Sequence, residues 1–161
     1  MKEMVVAIVG RPNVGKSTIF NRLVGERISI VEDIPGVTRD RLYGSAEWAG
    51  NSFRVIDTGG IQLANQQFQT EIRAQVDIAM EEADVILMVC DGQMGVMEDD
   101  RFIAGLLQKN KKPVVLAVNR IDDQSRMVNI YEFYELGLGD PMACSGIHGV
   151  GVGDVLDRCF E

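Results

Sequence analysis

Three short apolar runs punctuate the chain: Val5 to Val9, Val85 to Cys90 and Val114 to Val118. They lack polar alternation and are too short for a membrane span, which predicts strands buried on both faces. Helical spacing fills the intervals. Ile19, Phe20, Leu23 and Val24 form one stripe, and Phe68, Ile72, Val76 and Met80 step by four. Phe102, Ile103, Leu106 and Leu107 form a third, with Glu98, Asp99 and Asp100 before it and Lys109, Lys111 and Lys112 after it, a charge order that complements a helix dipole. Strands alternating with helices predict an α/β fold, a mostly parallel sheet with helices on both faces. Tyr43 to Ala49 and Ser52 to Ile56 depart from this pattern. Only Gly50-Asn51 separates them, so a hairpin is expected, with one antiparallel edge strand in a six-stranded sheet. Residues 31–41 and 58–66 show no strong periodicity and read as mobile loops. A last stripe, Val155, Leu156, Cys159 and Phe160, stops at Glu161 without a cap, as expected for a piece of a longer protein.

Length and charge narrow the picture. A chain of 161 residues is expected to form one domain, residues 1–161. The net charge of −8 falls on the second half: residues 1–80 carry nine basic and nine acidic side chains, residues 81–161 seven and fifteen. Such a balance argues against direct RNA binding by this domain alone. Cys90, Cys144 and Cys159 lack metal-ligand spacing, and Cys90 and Cys144 lie in or beside apolar runs. The expectation is buried thiols in a reducing cytoplasm, with no membrane partner. The apolar start runs straight into a glycine-bearing loop, unlike a signal peptide.

That loop is the strongest chemical signal. Gly10-Arg11-Pro12-Asn13-Val14-Gly15-Lys16-Ser17, followed by Thr18, is a complete G-x-x-x-x-G-K-S between a predicted strand and a predicted helix. Its backbone N–H groups would cradle α- and β-phosphates. Lys16 would reach the β- and γ-phosphates, and the Ser17 hydroxyl would ligate Mg²⁺. Ligands of open α/β sheets bind beyond the carboxyl ends of strands. Asp57-Thr58-Gly59-Gly60 stands at one such end; Asp57 is the expected Mg²⁺ partner, and the Gly60 N–H can meet a γ-phosphate, although D-x-x-G alone also fits an ordinary turn. Asn119-Arg120-Ile121-Asp122 stands at another. Asp122 would accept from guanine N1–H and N2–H₂, which adenine lacks, so an ATPase reading is disfavoured. Asn119 would brace the loop; an Asn/Asp helix cap is the plain alternative. Ser145-Gly146-Ile147 would offer a backbone N–H to guanine O6, and Thr38, in residues 35–40, would close onto Mg²⁺ when a γ-phosphate is present.

These elements, in this order, resemble GTP-binding proteins. Gly-Arg-Pro-Asn-Val-Gly-Lys-Ser, Pro-Gly-Val-Thr-Arg-Asp at residues 35–40, Ile-Asp-Thr-Gly-Gly-Ile at 56–61 and Leu-Gly-Leu-Gly-Asp-Pro at 136–141 resemble the bacterial EngA (Der) GTPase family over essentially the whole chain. The resemblance implies a Ras-like P-loop fold that binds GTP or GDP with Mg²⁺ and hydrolyses GTP. It also implies the first of two tandem GTPase domains in a protein that assembles the large ribosomal subunit. The chain departs from that family at Arg120, usually Lys, and at Gly146, usually Ala. Ile61 stands where Ras-like proteins place a water-orienting Gln. Relatives with Asn at the Asn13 position bind K⁺ there, which makes Asn13 a candidate K⁺ ligand and makes Asn13, Lys16, Thr38 and Gly60 the catalytic set. Arg39 or Arg41 as an internal finger, and His148 as a catalytic group, are the weaker readings. A module that holds GTP or GDP tightly and scarcely hydrolyses it is the other class left open.

Overall fold

The computed structural model describes residues 4–11, 14–24, 28–32, 37–39, 41–48, 50–58, 62–63, 68–109, 112–121, 124–146 and 151–159, with backbone only at 17, 28–32, 37–39, 41–43, 62–63, 68–71 and 124–129. The strands are β1 (Met4–Val9), β2 (Ile28–Glu32), β3 (Val37–Arg39), β4 (Arg41–Trp48), β5 (Asn51–Asp57), β6 (Gln62–Leu63), β7 (Val85–Asp91), β8 (Val114–Asn119) and β9 (Met142–Ala143). The helices are α1 (Lys16–Val24), α2 (Phe68–Glu82), α3 (Glu98–Gln108) and α4 (Val152–Cys159), with a 3₁₀ segment over Gln124–Leu136. The main sheet runs β2-β4-β5-β1-β7-β8-β9.

The α/β class and the hairpin are as the sequence predicts, since β4 pairs antiparallel with β5 while β5, β1, β7, β8 and β9 pair in parallel. Two details differ. The sheet has seven strands rather than six, because β2 pairs antiparallel with β4 and takes the edge. The antiparallel strand is therefore one place inside the edge. Residues 37–39 and 62–63, both read as loop, pair with each other as a two-stranded ribbon, Val37 opposite Leu63. Pieces two or three residues long carry no legible period.

Side-chain alternation divides the core between the two faces of the sheet. Val6, Ile8, Leu87 and Val89 face α1 and α4, where Ile19, Phe20, Val24, Val155 and Leu156 close one cluster. Ala7, Val9, Ile86 and Met88 face α2, α3 and the 3₁₀ segment, where Ile72, Val76, Ile103, Leu107 and Phe133 close the other. Cys90, Cys144 and Cys159 are all free and buried. Among the described residues no helix is long and apolar enough to cross a membrane.

This register aligns the strand ends that matter. Ile8 lies opposite Asp57, Val9 opposite Met88, and Asp91 opposite Asn119. The loop after β1, Asp57, Asp91 and Asn119 therefore gather at the carboxyl ends of the parallel strands.

Candidate nucleotide site

The phosphate loop leaves β1 at Gly10, where φ is +154°, and a Cβ there would stand 2.6 Å from the Val89 carbonyl oxygen. At Gly15 φ is +98°, and a Cβ would collide with Asn119 Nδ2. Both motif glycines are thus required by close approach as well as by backbone angle. Val14 between them is fully buried in the core below, so its side chain anchors the loop and only its backbone faces the site. Thr18, in the first turn of α1, is half-buried, with its Cγ2 3.2 Å from where a Cβ on Gly146 would stand.

Lys16 is 6% exposed and folds into its own loop, with Nζ donating to the Gly10 carbonyl and to the Arg11 carbonyl at 2.8 Å. Burial pushes its amine down to about 8, while Asp57 and Asp100 pull it up and Arg11 pushes it down further. An amine held this way, ringed by glycine-permitted backbone and with buried Asp57 at the neighbouring strand end, suits a polyphosphate. The Asp57 carboxylate is a hard oxygen donor of the kind Mg²⁺ takes. Ser17 is the second residue of α1, and Thr38 lies in β3; their side chains are outside the description. Thr58, expected beside the nucleotide, instead turns into the core, with Oγ1 2.7 Å from the Ile8 carbonyl oxygen and 3.3 Å from Gln75 Oε1. Its hydroxyl ties the end of β5 to β1 and to α2.

On the base side, Asn119 is 3% exposed and makes contacts in two directions. Its Nδ2 donates to the Val14 carbonyl at 2.9 Å, and its Oδ1 accepts from the Gly146 N–H at 2.9 Å. One amide therefore joins the phosphate loop to the loop after β9. Arg22 Nε donates to the Gly146 carbonyl at 3.1 Å, and Ser145 is buried alongside. The Gly146 N–H, expected to meet a guanine O6, is given to Asn119 instead. Arg120 is the one non-glycine among the described residues with positive φ, +66°. Its guanidinium pairs with buried Asp91, and its carbonyl accepts from Gln93 Nε2 at 3.2 Å. Pro12, Asn13, Gly59, Gly60, Ile61, Asp122, Ile147 and His148 lie outside the described residues.

Two buried acids escaped the sequence reading. Asp91 ends an otherwise apolar strand, a signal that was available, and also accepts from the Gln93 N–H at 2.8 Å. Asp100 reads in the sequence as one of three dipole-matching acids, yet it alone of them is buried, with 0% exposed, and it pairs with Arg11 of the phosphate loop.

Residues 5–120 match the family described as 50S ribosome-binding GTPase. Over 156 residues the chain is 61% identical to GTPase Der of Lactococcus lactis subsp. lactis, a match that covers 97% of this chain and 36% of that protein. Among solved structures, the cytosolic domain of the T. maritima FeoB iron transporter in its GMPPNP form aligns with a TM-score of 0.76 at 26% identity, over 98% of this chain and 62% of that one. Era of Aquifex aeolicus bound to GDP and AlF4⁻ aligns with a TM-score of 0.74 at 31% identity, over 98% of this chain and 56% of that one. The chain thus spans little more than a third of the curated relative's length. The match over residues 5–120 covers most of the chain and includes the phosphate loop, Asp57 and Asn119, and it makes the chain a member of the 50S ribosome-binding GTPase family.

Proposed function

We propose that this chain is a Mg²⁺-dependent, GTP-binding and GTP-hydrolysing switch, one GTPase domain (residues 1–161) of a longer cytoplasmic protein that acts in assembly of the large ribosomal subunit. The observation that carries the reading is the double contact of Asn119, which makes the phosphate loop and the base-side loop one unit. Such a unit is suited to a ligand with a base at one end and phosphates at the other. Asp122 reads guanine by accepting from N1–H and N2–H₂, and the loop of Ser145, Gly146 and Ile147 faces O6. Lys16 and the N–H groups of residues 10–18 hold the phosphates, while Ser17, Asp57 and Thr38 hold Mg²⁺. Held there, Mg²⁺ would supply charge to neutralise what develops on the transferred phosphoryl group. Residues 59–61 meet the γ-phosphate, with Gly60 offering its N–H.

Ile61 cannot orient water, so the chemistry needs another source of charge stabilisation. Asn13 would hold K⁺, and the ion would supply positive charge of the kind an arginine finger gives elsewhere. The same Ile61 favours a second reading, a tight GDP or GTP holder that scarcely turns over.

Single-turnover GTP hydrolysis, in KCl and in NaCl at equal ionic strength, separates these readings. The expected result is hydrolysis faster in KCl and reduced about 100-fold in Lys16→Ala. Equal rates in both salts would remove K⁺. No hydrolysis beyond buffer despite tight GDP binding would leave the holder. Displacement of labelled GDP by ATP would overturn guanine selectivity.

A further inference from the structure

Asp100 sits in the first turn of α3 and accepts the Met97 N–H at 2.9 Å, an ordinary task for an acid at a helix N-terminus. Acids in a first helical turn ordinarily stay near water, as exposed Glu98 does, whereas Asp100 is fully buried. Burying a carboxylate is costly unless it meets a cation. The cation here is Arg11, whose Nε lies 3.3 Å from Oδ1 and 3.4 Å from Oδ2.

The pair is poorly optimised as a source of stability. Arg11 Nη2 is buried and has no hydrogen-bond partner among the described residues, and the Asp100 Oδ1 contact is an ion pair without hydrogen-bond geometry. A buried pair left partly unsatisfied contributes little net stability. What it does control is place. Arg11 follows Gly10, which presses against the Val89 carbonyl, and the Arg11 carbonyl accepts from Lys16 Nζ. A shift of Arg11 therefore moves a partner of the phosphate-binding amine itself.

We propose that Asp100 is a positioning residue for the phosphate loop: paired with Arg11, it fixes the Gly10–Arg11 side of the loop and so sets affinity for the phosphate end of the nucleotide, leaving the base end to Asn119. The proposal rests on the reading of residues 10–17 as a nucleotide phosphate site.

The test compares Asp100→Asn, which keeps an acceptor for Met97, with Arg11→Met, which keeps the stem and removes the fork, and with the double variant. Fluorescent GDP dissociation is measured by stopped flow, and GDP and guanosine affinities by competition. Each single variant is expected to release GDP about tenfold faster, with the double variant no worse than either single one. Guanosine affinity is expected to stay level, so that the GDP-to-guanosine ratio falls. Arg11→Met keeps the test informative if Asp100→Asn does not fold. Release rates within about twofold of the unaltered protein, equal losses for GDP and guanosine, or additive effects in the double variant would each overturn the proposal. If the unaltered protein holds no GDP, the nucleotide reading falls with it. If it holds GDP and the variants match it, only the positioning role falls.

Discussion

The phosphate loop is gripped from two sides by side chains of opposite character. Asn119 holds the Val14–Gly15 side with a neutral amide, donating at one end and accepting at the other. Asp100 holds the Gly10–Arg11 side with a charge, and its partner keeps a buried nitrogen that has no hydrogen bond among the described residues. An amide both gives and takes hydrogen bonds, so one residue can join two loops at modest desolvation cost. A carboxylate only accepts, so when buried it calls for a cation, and Asp100 reaches the loop through Arg11 alone. The base-side grip therefore contributes stability and continuity, and the charged grip contributes position.

The comparison breaks most sharply at Asn119. Asn119→Ala leaves the Val14 carbonyl and the Gly146 N–H unpaired in the interior, and a loss of about 2–4 kcal/mol in urea unfolding is expected. Nucleotide affinity should fall with it, for base and phosphates together, in contrast to the phosphate-selective loss expected at Asp100. A stability loss below about 1 kcal/mol would mean that the two loops are held together by something other than this amide.

A smaller effect comes from Lys16, which lies between the grips. Its buried amine has a pKa of about 8 in the free protein, below the ordinary 10.5. Phosphate pairs with the charged form, so binding raises that value and takes up a proton. Without Mg²⁺, GDP affinity is expected to hold below pH 8 and to weaken by up to about tenfold per unit above it. The same depressed value means that folding carries a desolvation penalty in full below pH 8, relieved as pH rises from 8 to 10.5, so Lys16 makes the empty protein more stable over that window. Calorimetry in buffers of different ionisation enthalpy, at pH 8.5, reads the proton uptake directly. Absence of uptake would place the amine's titration elsewhere.

The smallest effect is expected at Arg120. Its guanidinium is 38% exposed and pairs with buried Asp91, and a lysine there would keep a cation beside that carboxylate. Arg120→Lys keeps the charge and loses the planar fork, so unfolding should change by less than about 1 kcal/mol and GDP release by less than about threefold. A larger change would make the base-side loop depend on charge as the other side does.

Much of this was legible before any coordinates. The apolar runs at Val85 to Cys90 and Val114 to Val118 became β7 and β8, and the stripes at Ile72, Val76, Ile103 and Leu107 became the buried faces of α2 and α3. The hairpin of β4 and β5 was readable from Gly50-Asn51. Residues 28–32, which form the edge strand β2, and the long 3₁₀ segment were not. The first gains its form by pairing with β4, and the second carries no strong period, only an anchoring of Phe133 and Leu136 against the sheet face. Thr58 shows the same limit at the site: its place in the motif pointed to the nucleotide, but packing between Ile8 and Gln75 turned it inward.

The sequence by itself determined which residues could do phosphate chemistry, because eight consecutive positions with two obligatory glycines leave the backbone one way to curl around an anion. It also determined the layering, because strand and helix periods cannot be exchanged. Only the tertiary structure decided what holds that loop in place. Asn119 and Asp100 lie 105 and 89 residues from the partners they grip, and each becomes a neighbour of the loop only once β1, β7 and β8 align in register. Side-chain type says that an amide or a carboxylate can bond, and the sheet chooses to what.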